Sequence, residues 1–68
     1  MGTVARVTEI SATSPESFDA AIRVGVERAS RTLRNITSAW VKEQRVEITD
    51  GSVVSYQVNL LVTFVLDD

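Results

Sequence analysis

The 68-residue sequence contains no cysteine and no histidine. The absence of cysteine excludes disulfides and thiolate metal sites, and the absence of histidine removes the commonest transition-metal ligand and the usual general base. A chain of this length forms a single domain, residues 1–68, with a small core. Such domains usually gain extra stability from disulfides, a metal ion or oligomerisation, so we expect oligomerisation here.

Basic and strongly apolar stretches are also missing. Seven basic and nine acidic residues give a net charge of −2, and no basic run predicts nucleic-acid binding. No segment approaches the roughly 20 apolar residues of a membrane span. The N-terminal apolar run is interrupted by Arg6 and Glu9 and is too short for a signal peptide. We therefore expect a soluble, cytoplasmic protein without a membrane partner.

Catalytic patterns are absent as well. The sequence has no phosphate-cradling glycine loop and no carboxylate pair with an evident partner, in addition to lacking histidine and cysteine. We expect that the protein is not an enzyme.

What is present is a change of hydrophobic period along the chain. Residues 3–10 mix β-branched and polar residues and predict a first strand, β1. Ser14 as N-cap and Pro15 at the first helical position predict a helix, α1, over about residues 15–35. Its apolar residues recur at three- and four-residue steps, and Gly25 within that stripe is expected to permit close packing.

The second half of the chain has the period of two that is typical of strands. Residues 39–49 and 52–66 predict strands β2 and β3, and Asp50-Gly51 between them is a strong hairpin signal. The predicted fold class is α+β, with the order β1-α1-β2-β3. Its three-stranded antiparallel sheet wraps on one helix, and β3 lies in the centre.

Alternation along β3 assigns its side chains to two faces. The face predicted to cover the helix carries Val54, Tyr56, Val58, Leu60, Val62, Phe64 and Leu66. The opposite face carries Gln57, and a tight turn places Gln44 opposite it, with Trp40 and Lys42 on the same side. Trp40, the only tryptophan, is therefore predicted to face away from the helix.

The predicted sheet is longer than the helix. A strand of about 15 residues spans about 50 Å, whereas a helix of about 20 residues spans about 30 Å. We expect neighbouring subunits to cover the remaining length and the partly apolar outer side of the sheet.

Four segments in this order resemble the dodecins, small flavin-binding proteins that assemble as hollow homododecamers. The segments are V-T-E-I, T-S-P-E-S-F-D-A-A-I, R-A-S-R-T-L-R-N-I and S-Y-Q-V-N-L-L-V-T-F-V-L-D, and the resemblance covers essentially the whole chain.

The resemblance implies a flavin site, with riboflavin, FMN or FAD held at subunit interfaces between symmetry-related tryptophans. Gln57 after Tyr56 looks like the glutamine that hydrogen-bonds the isoalloxazine edge, and Arg45 looks like an arginine near the flavin phosphate. The family position of the tryptophan falls on Ser38. Trp40 stands two residues later, one strand repeat along the same face.

Two functions follow as hypotheses. The first is flavin binding and storage by a homododecamer, with Trp40, Gln57, Arg45 and Ser38 at the site. The alternative is a dodecin-like oligomer that binds no flavin and has a structural or calcium-binding role. In that case Trp40 anchors subunits, Gln57 pairs with Gln44, and Arg45 pairs with a carboxylate such as Glu43 or Glu47. The acidic residues Asp50, Asp67 and Asp68 could then offer oxygen ligands.

Overall fold

A computed structural model of the chain describes residues 2–66. These residues form one helix and three strands in the predicted order: β1 (Ala5–Ser14), α1 (Phe18–Ala29), β2 (Ile36–Thr49) and β3 (Ser52–Val65). The strands form one antiparallel sheet with the spatial order β1-β3-β2. The predicted α+β class and the central position of β3 are confirmed.

The start of the helix differs from the prediction. Ser14 is the last residue of β1 and is paired with Tyr56, so it remains in the sheet. Its hydroxyl accepts a hydrogen bond from the backbone N–H of Glu16 at 3.1 Å and stabilises the bend that follows. The N-cap is Ser17, whose side chain accepts from the N–H of Ala20 at 3.0 Å. Both serines satisfy capping chemistry, but the strand extends further than its apolar pattern indicates.

The helix also ends earlier than predicted, at Ala29. Its carbonyl accepts from the N–H groups of Thr32 and Leu33, which closes the last turn. Asn35 then adopts a left-handed backbone conformation, with φ of 63°, and redirects the chain. Strand β2 consequently begins at Ile36, three residues before the predicted start.

The core lies between α1 and the middle of β3. Val58, Leu60 and Val62 are fully buried, and Ala12 of β1 packs beside them. A Cβ atom placed on Gly25 would lie 3.1 Å from the Cβ of Ala12 and 3.2 Å from a methyl group of Leu60. Gly25 therefore allows the helix to approach the sheet closely, as predicted.

The sheet extends well beyond the helix. The described residues measure 54 × 20 × 13 Å, whereas a 12-residue helix spans only about 18 Å. Large apolar side chains in the β2–β3 hairpin, among them Ile48 and Val53, are consequently exposed. The predicted mismatch between helix and sheet is confirmed.

The pairing of β2 with β3 is interrupted by changes of register. They occur between Ile36 and Ser38, between Val41 and Glu43, and between Glu47 and Ile48. The change nearest the turn shifts the following pairs by one residue, so Arg45 lies opposite Gln57 and Gln44 lies opposite Val58. The predicted pairing of Gln44 with Gln57 is therefore wrong.

The next register change restores the original pairing. Lys42 is the extra residue there, and beyond it Trp40 lies opposite Leu61, as a tight turn without bulges would also place it. The predicted face of Trp40 is correct because two one-residue shifts cancel before the chain reaches it.

The two residues of the hairpin turn between β2 and β3 have left-handed backbone conformations. Asp50 and Gly51 both have positive φ, 52° and 78°, as a type I′ turn requires. A Cβ on Gly51 meets no atom within 4 Å, and neither does one on Gly2, so only the backbone conformation distinguishes the two glycines.

We expect Gly51→Ala to lower the free energy of unfolding by about 1 kcal/mol, measured by urea denaturation. Gly2→Ala is the control, and equal effects of both substitutions would contradict this account of the turn.

Candidate functional site

The side of the sheet opposite α1 is here called the outer face. On β3 it carries Ser55, Gln57, Asn59, Leu61 and Thr63, which alternate with the buried core residues. Their partners on β2 are Glu47, Arg45, Glu43, Trp40 and Ser38 in that order, and Glu9 and Ser11 follow on β1. All four residues predicted for the site, Trp40, Gln57, Arg45 and Ser38, therefore lie on one face.

Trp40 is the most exposed large apolar residue of this face, with 76% of its surface accessible. It lies on β2 directly opposite Leu61, and Glu9 lies on the other side of Leu61. An indole that is so exposed on a sheet presents a flat apolar surface to whatever approaches it. In the isolated subunit no element of residues 2–66 covers this ring.

Gln57 is held by a neighbour on β1. Its Nε2 donates a hydrogen bond to Oγ of Ser11 at 2.7 Å, which fixes the orientation of the amide. Its cross-strand partner is Arg45. The carbonyl oxygen of Gln57 and its second N–H remain the groups with which it could contact a ligand.

Arg45 is paired with a carboxylate on its own strand. Its Nη2 donates to Oε1 of Glu47 at 2.6 Å. This hydrogen bond, together with the negative charge of Glu47, raises the pKa of Arg45 above its usual value. Of the carboxylate partners predicted for Arg45, the structure shows Glu47.

Two further residues complete the polar part of this face. Asn59 Nδ2 donates to Oε1 of Glu43 at 3.0 Å, and Oδ1 of Asn59 is buried without a hydrogen-bond partner among residues 2–66. A depression of about 370 Å³ is lined by Glu43, Gln44, Arg45, Gln57 and Asn59. This volume lies in the range of small-molecule sites.

The predicted site residues are not all in contact. Arg45 and Gln57 are direct cross-strand partners. Leu61, opposite Trp40, stands four residues beyond Gln57 on β3, so Trp40 lies about 13 Å along the strand from Gln57. Ser38 lies opposite Thr63, about 20 Å along the strand from Gln57 by the same spacing. Trp40 is thus nearer to Gln57 than Ser38 is.

The site residues predicted from the sequence did not include Asn59, Glu43 and Ser11. Parity along β3 does place Asn59 beside Gln57, so that signal was present. Glu43 reaches the outer face because of the register change between Glu47 and Ile48, which no local pattern indicates.

An ion pair between Lys42 and Glu9 lies at the end of this polar region that is nearest to Trp40. Lys42 Nζ lies 3.3 Å from Oε1 of Glu9, so the pair joins β2 to β1 across the central strand. Both side chains are nearly half exposed, and such pairs contribute little stability.

A larger groove of about 600 Å³ lies between α1 and β1. Its lining is mostly apolar and threonine side chains, with Arg28 as a charged residue. None of the four predicted residues borders it, so the outer face is the stronger candidate for recognising a polar ligand.

The described part of the chain has neither a metal-ligating cluster nor a helix that could span a membrane. Residues 2–66 contain no group of three or more acidic side chains placed to hold a metal ion. Asp50 lies in the hairpin turn, while Asp67 and Asp68, named above as calcium ligands, lie outside the described residues. The helix of this region is not long and apolar enough to cross a membrane.

Fold and site together define a class of small α+β subunits that expose one long, partly apolar face of a sheet. Comparison with known proteins identifies the family. The Dodecin family model matches residues 4–67, and the chain belongs to the dodecin family.

Individual relatives agree with this assignment. The dodecin of Thermus thermophilus is 41% identical over 68 residues, which cover 100% of this chain and 99% of the relative. The solved structure of the Streptomyces davaonensis dodecin is 44% identical, with a TM-score of 0.93 and 100% coverage of both chains. A calcium-chelating antigen of Mycobacterium tuberculosis, described as a calcium dodecin with a novel calcium-binding site, is 32% identical. Its TM-score is 0.81, with coverage of 94% of this chain and 91% of that chain.

The hydrogen bond between Ser11 and Gln57 yields a prediction about the site. Ser11→Ala should release the Gln57 amide, change its side-chain amide resonance in NMR spectra, and lower the free energy of unfolding by about 0.5–1 kcal/mol. Ser55→Ala removes a hydroxyl from the same face of β3 without touching that bond. An unchanged Gln57 resonance in Ser11→Ala would show that the amide is not held by Ser11.

Proposed function

We propose that this dodecin binds and stores flavin, as riboflavin, FMN or FAD, at subunit interfaces of a homododecamer. The observation that carries the proposal is the position of Trp40. Its indole is 76% exposed, and it shares the outer face with Gln57. A planar heteroaromatic ligand with polar groups along one edge matches a face that offers an apolar ring and an oriented amide.

The chemistry of the two residues is complementary to a flavin. Aromatic rings stack on indole with a gain beyond the burial of area alone. A glutamine amide offers both a donor and an acceptor, which suits the alternating acceptors and donor of a pyrimidine edge. Because Ser11 already orients the amide of Gln57, less conformational entropy is lost when a ligand binds.

Assembly supplies the rest of the site in this proposal. The outer face has one layer of side chains and no cover, so a ligand stacked on Trp40 would have its other side in water. A symmetric contact brings a second Trp40 to the opposite side of the site. Assembly as a homododecamer is consistent with the family.

The proposed role is binding and storage, without turnover. Bound flavin would supply a photoreactive ring, and the indole of Trp40 is an electron donor able to quench its excited state. The depression beside Gln57 has the size of a ligand site, and its charged groups are already paired or hydrogen-bonded. Ser38 borders the proposed site at its far end and offers only a hydroxyl.

A second candidate is an assembly that binds no flavin, with a structural or calcium-binding role. The observations that favour it are Ser38 at the position where the tryptophan is expected and the unpartnered Oδ1 of Asn59 beside Glu43. The calcium dodecin shows that a relative of this fold is described as chelating calcium. In this candidate Trp40 packs subunits together.

Titration of the assembled protein with riboflavin and with FMN, followed by flavin fluorescence, separates the two candidates. We expect quenching at micromolar protein. Stacking on an aromatic side chain contributes about 1–3 kcal/mol, so Trp40→Ala should weaken binding by about 10-fold or more. Trp40→Phe keeps a ring at the same position and should lose less.

Two controls accompany this titration. Size-exclusion chromatography shows whether each variant remains assembled. Ser38→Trp in the Trp40→Ala background moves the indole two residues earlier on β2. This variant tests whether flavin binding requires the tryptophan at position 38. No quenching by the parent protein would exclude flavin binding. Disassembly of Trp40→Ala without any effect of flavin on the parent protein would support the second candidate.

A further inference from the structure

We infer that the hairpin tip of each subunit packs into the helix groove of a second copy of the chain. The hairpin tip comprises residues 47–54, and the helix groove is the depression of about 600 Å³ between α1 and β1. This inference rests on the assembly that the proposed function includes, and it does not depend on flavin. It assigns a partner to two surfaces that the outer face does not involve.

The contact proposed for Trp40 cannot by itself build a large closed assembly. A two-fold contact joins subunits only in pairs, because the same patch meets itself across the axis. A homododecamer therefore needs a further contact, made by other parts of the subunit. A contact between two different surfaces, one on each copy, closes into a ring of subunits. The hairpin tip and the helix groove are two such surfaces.

The hairpin tip extends beyond the helix of its own subunit. Phe18, the first residue of α1, packs edge to face on Tyr56 of β3, with the ring centroids 5.1 Å apart. All residues from 47 to 54, on the turn side of that contact, are exposed. The large apolar residues among them are Ile48, Val53 and Val54. Such a group of exposed apolar side chains is typical of an interaction surface.

The helix groove has a complementary apolar lining. Ala12, Gly25 and Ala29 are buried residues of this lining, and their small size leaves space between the helix and β1. Val24, also in the lining, is 50% exposed. The volume of the groove is in the range of cavities that hold whole small molecules, so the aliphatic side chains of a hairpin tip fit within it.

Charge favours the hairpin tip as the occupant of the groove. The tip carries Glu47 and Asp50 and no basic residue. Glu47 is paired with Arg45, whereas Asp50 forms no ion pair within residues 2–66. Arg28 lines the groove, is exposed, and likewise forms no ion pair in this part of the chain. Residues 23–34 contain four arginines and one acidic residue, so opposite charges steer the tip toward the groove.

The hairpin tip of the same subunit cannot fill this groove. Thr13, which lines the groove, lies opposite Gln57, and Val53 stands four residues from Gln57, about 13 Å along the strand. The other end of the groove is further away, because Thr32 also borders a depression beside Phe64, about 36 Å along β3 from Val53. A hairpin that continues the sheet does not fold back over it, so the occupant is a second copy.

The test places a charge in each half of the contact. Val24→Glu puts a carboxylate in the groove, and Ile48→Glu puts one on the tip. Both positions are exposed in the subunit, so far-UV circular dichroism should match that of the parent protein. Each variant should raise the protein concentration for half-assembly about 10-fold or more, because the contact loses a buried aliphatic side chain. Sedimentation velocity measures this concentration.

Two further comparisons show whether the two surfaces meet. Val4→Glu changes an exposed apolar residue outside both surfaces and should leave assembly unchanged. Arg28→Glu should weaken assembly by placing a carboxylate near Asp50. Asp50→Asn should then weaken assembly of the parent protein but strengthen that of Arg28→Glu, each by about 2- to 5-fold. Asparagine tolerates the positive φ of the turn, so the hairpin is kept.

The outcomes separate this inference from the flavin proposal. A parent protein that assembles while Val24→Glu and Ile48→Glu assemble equally well would overturn the inference, whether or not flavin binds. Loss of assembly in only one of these two variants would also contradict it, because both halves of one contact must matter. A parent protein that remains a monomer would overturn the inference and the proposed homododecamer together. Normal assembly without flavin quenching would overturn the flavin proposal alone.

Discussion

The contact of one short helix with the middle of a long sheet determines the rest of this molecule. Gly25 lets α1 approach within contact distance of Ala12 and Leu60, and this contact buries the centre of β3. Twelve helical residues cannot cover a sheet in a domain 54 Å long, and no element among residues 2–66 lies over its other face. The subunit therefore leaves the large apolar side chain of Trp40 in water, and an exposed apolar surface of this kind is typical of a site that a partner or ligand covers.

The candidate site is a direct result of strand parity on that uncovered face. In the middle of β3 every second residue is buried under the helix, namely Val58, Leu60 and Val62. The residues between them face outward, where β1 and β2 add their own side chains. Ser11 orients Gln57, and Glu47 holds Arg45, so two of the polar groups have fixed neighbours before any ligand arrives. Trp40 adds an exposed apolar ring about 13 Å along the strand from Gln57. The arrangement suits recognition of a planar ligand with a polar edge, which is the basis of the proposed flavin site.

Much of this architecture could be predicted from the sequence, because its strongest signals are local. Asp50-Gly51 fixed the hairpin, and alternation along β3 placed Trp40 and Gln57 on one face, as the structure confirms. The predicted start of the helix was wrong because Ser14 and Ser17 are both competent caps, and only pairing across the sheet decides between them. The cross-strand partner of Gln57 was wrong because register changes depend on the packing of both strands. The assignment of the flavin site remains a prediction. It rests on the resemblance of the sequence to the dodecins and on the alternation of side chains along the strands.

Flavin binding by the assembled protein is the central claim, and co-elution tests it most directly. The purified oligomer is incubated with excess riboflavin, passed over a size-exclusion column, and its absorption spectrum is recorded in the protein peak. The account predicts that the visible absorption bands of flavin elute with the oligomer in a fixed ratio to the subunit, and that the emission of Trp40, the only tryptophan, is quenched. A colourless oligomer with unchanged tryptophan emission would contradict it.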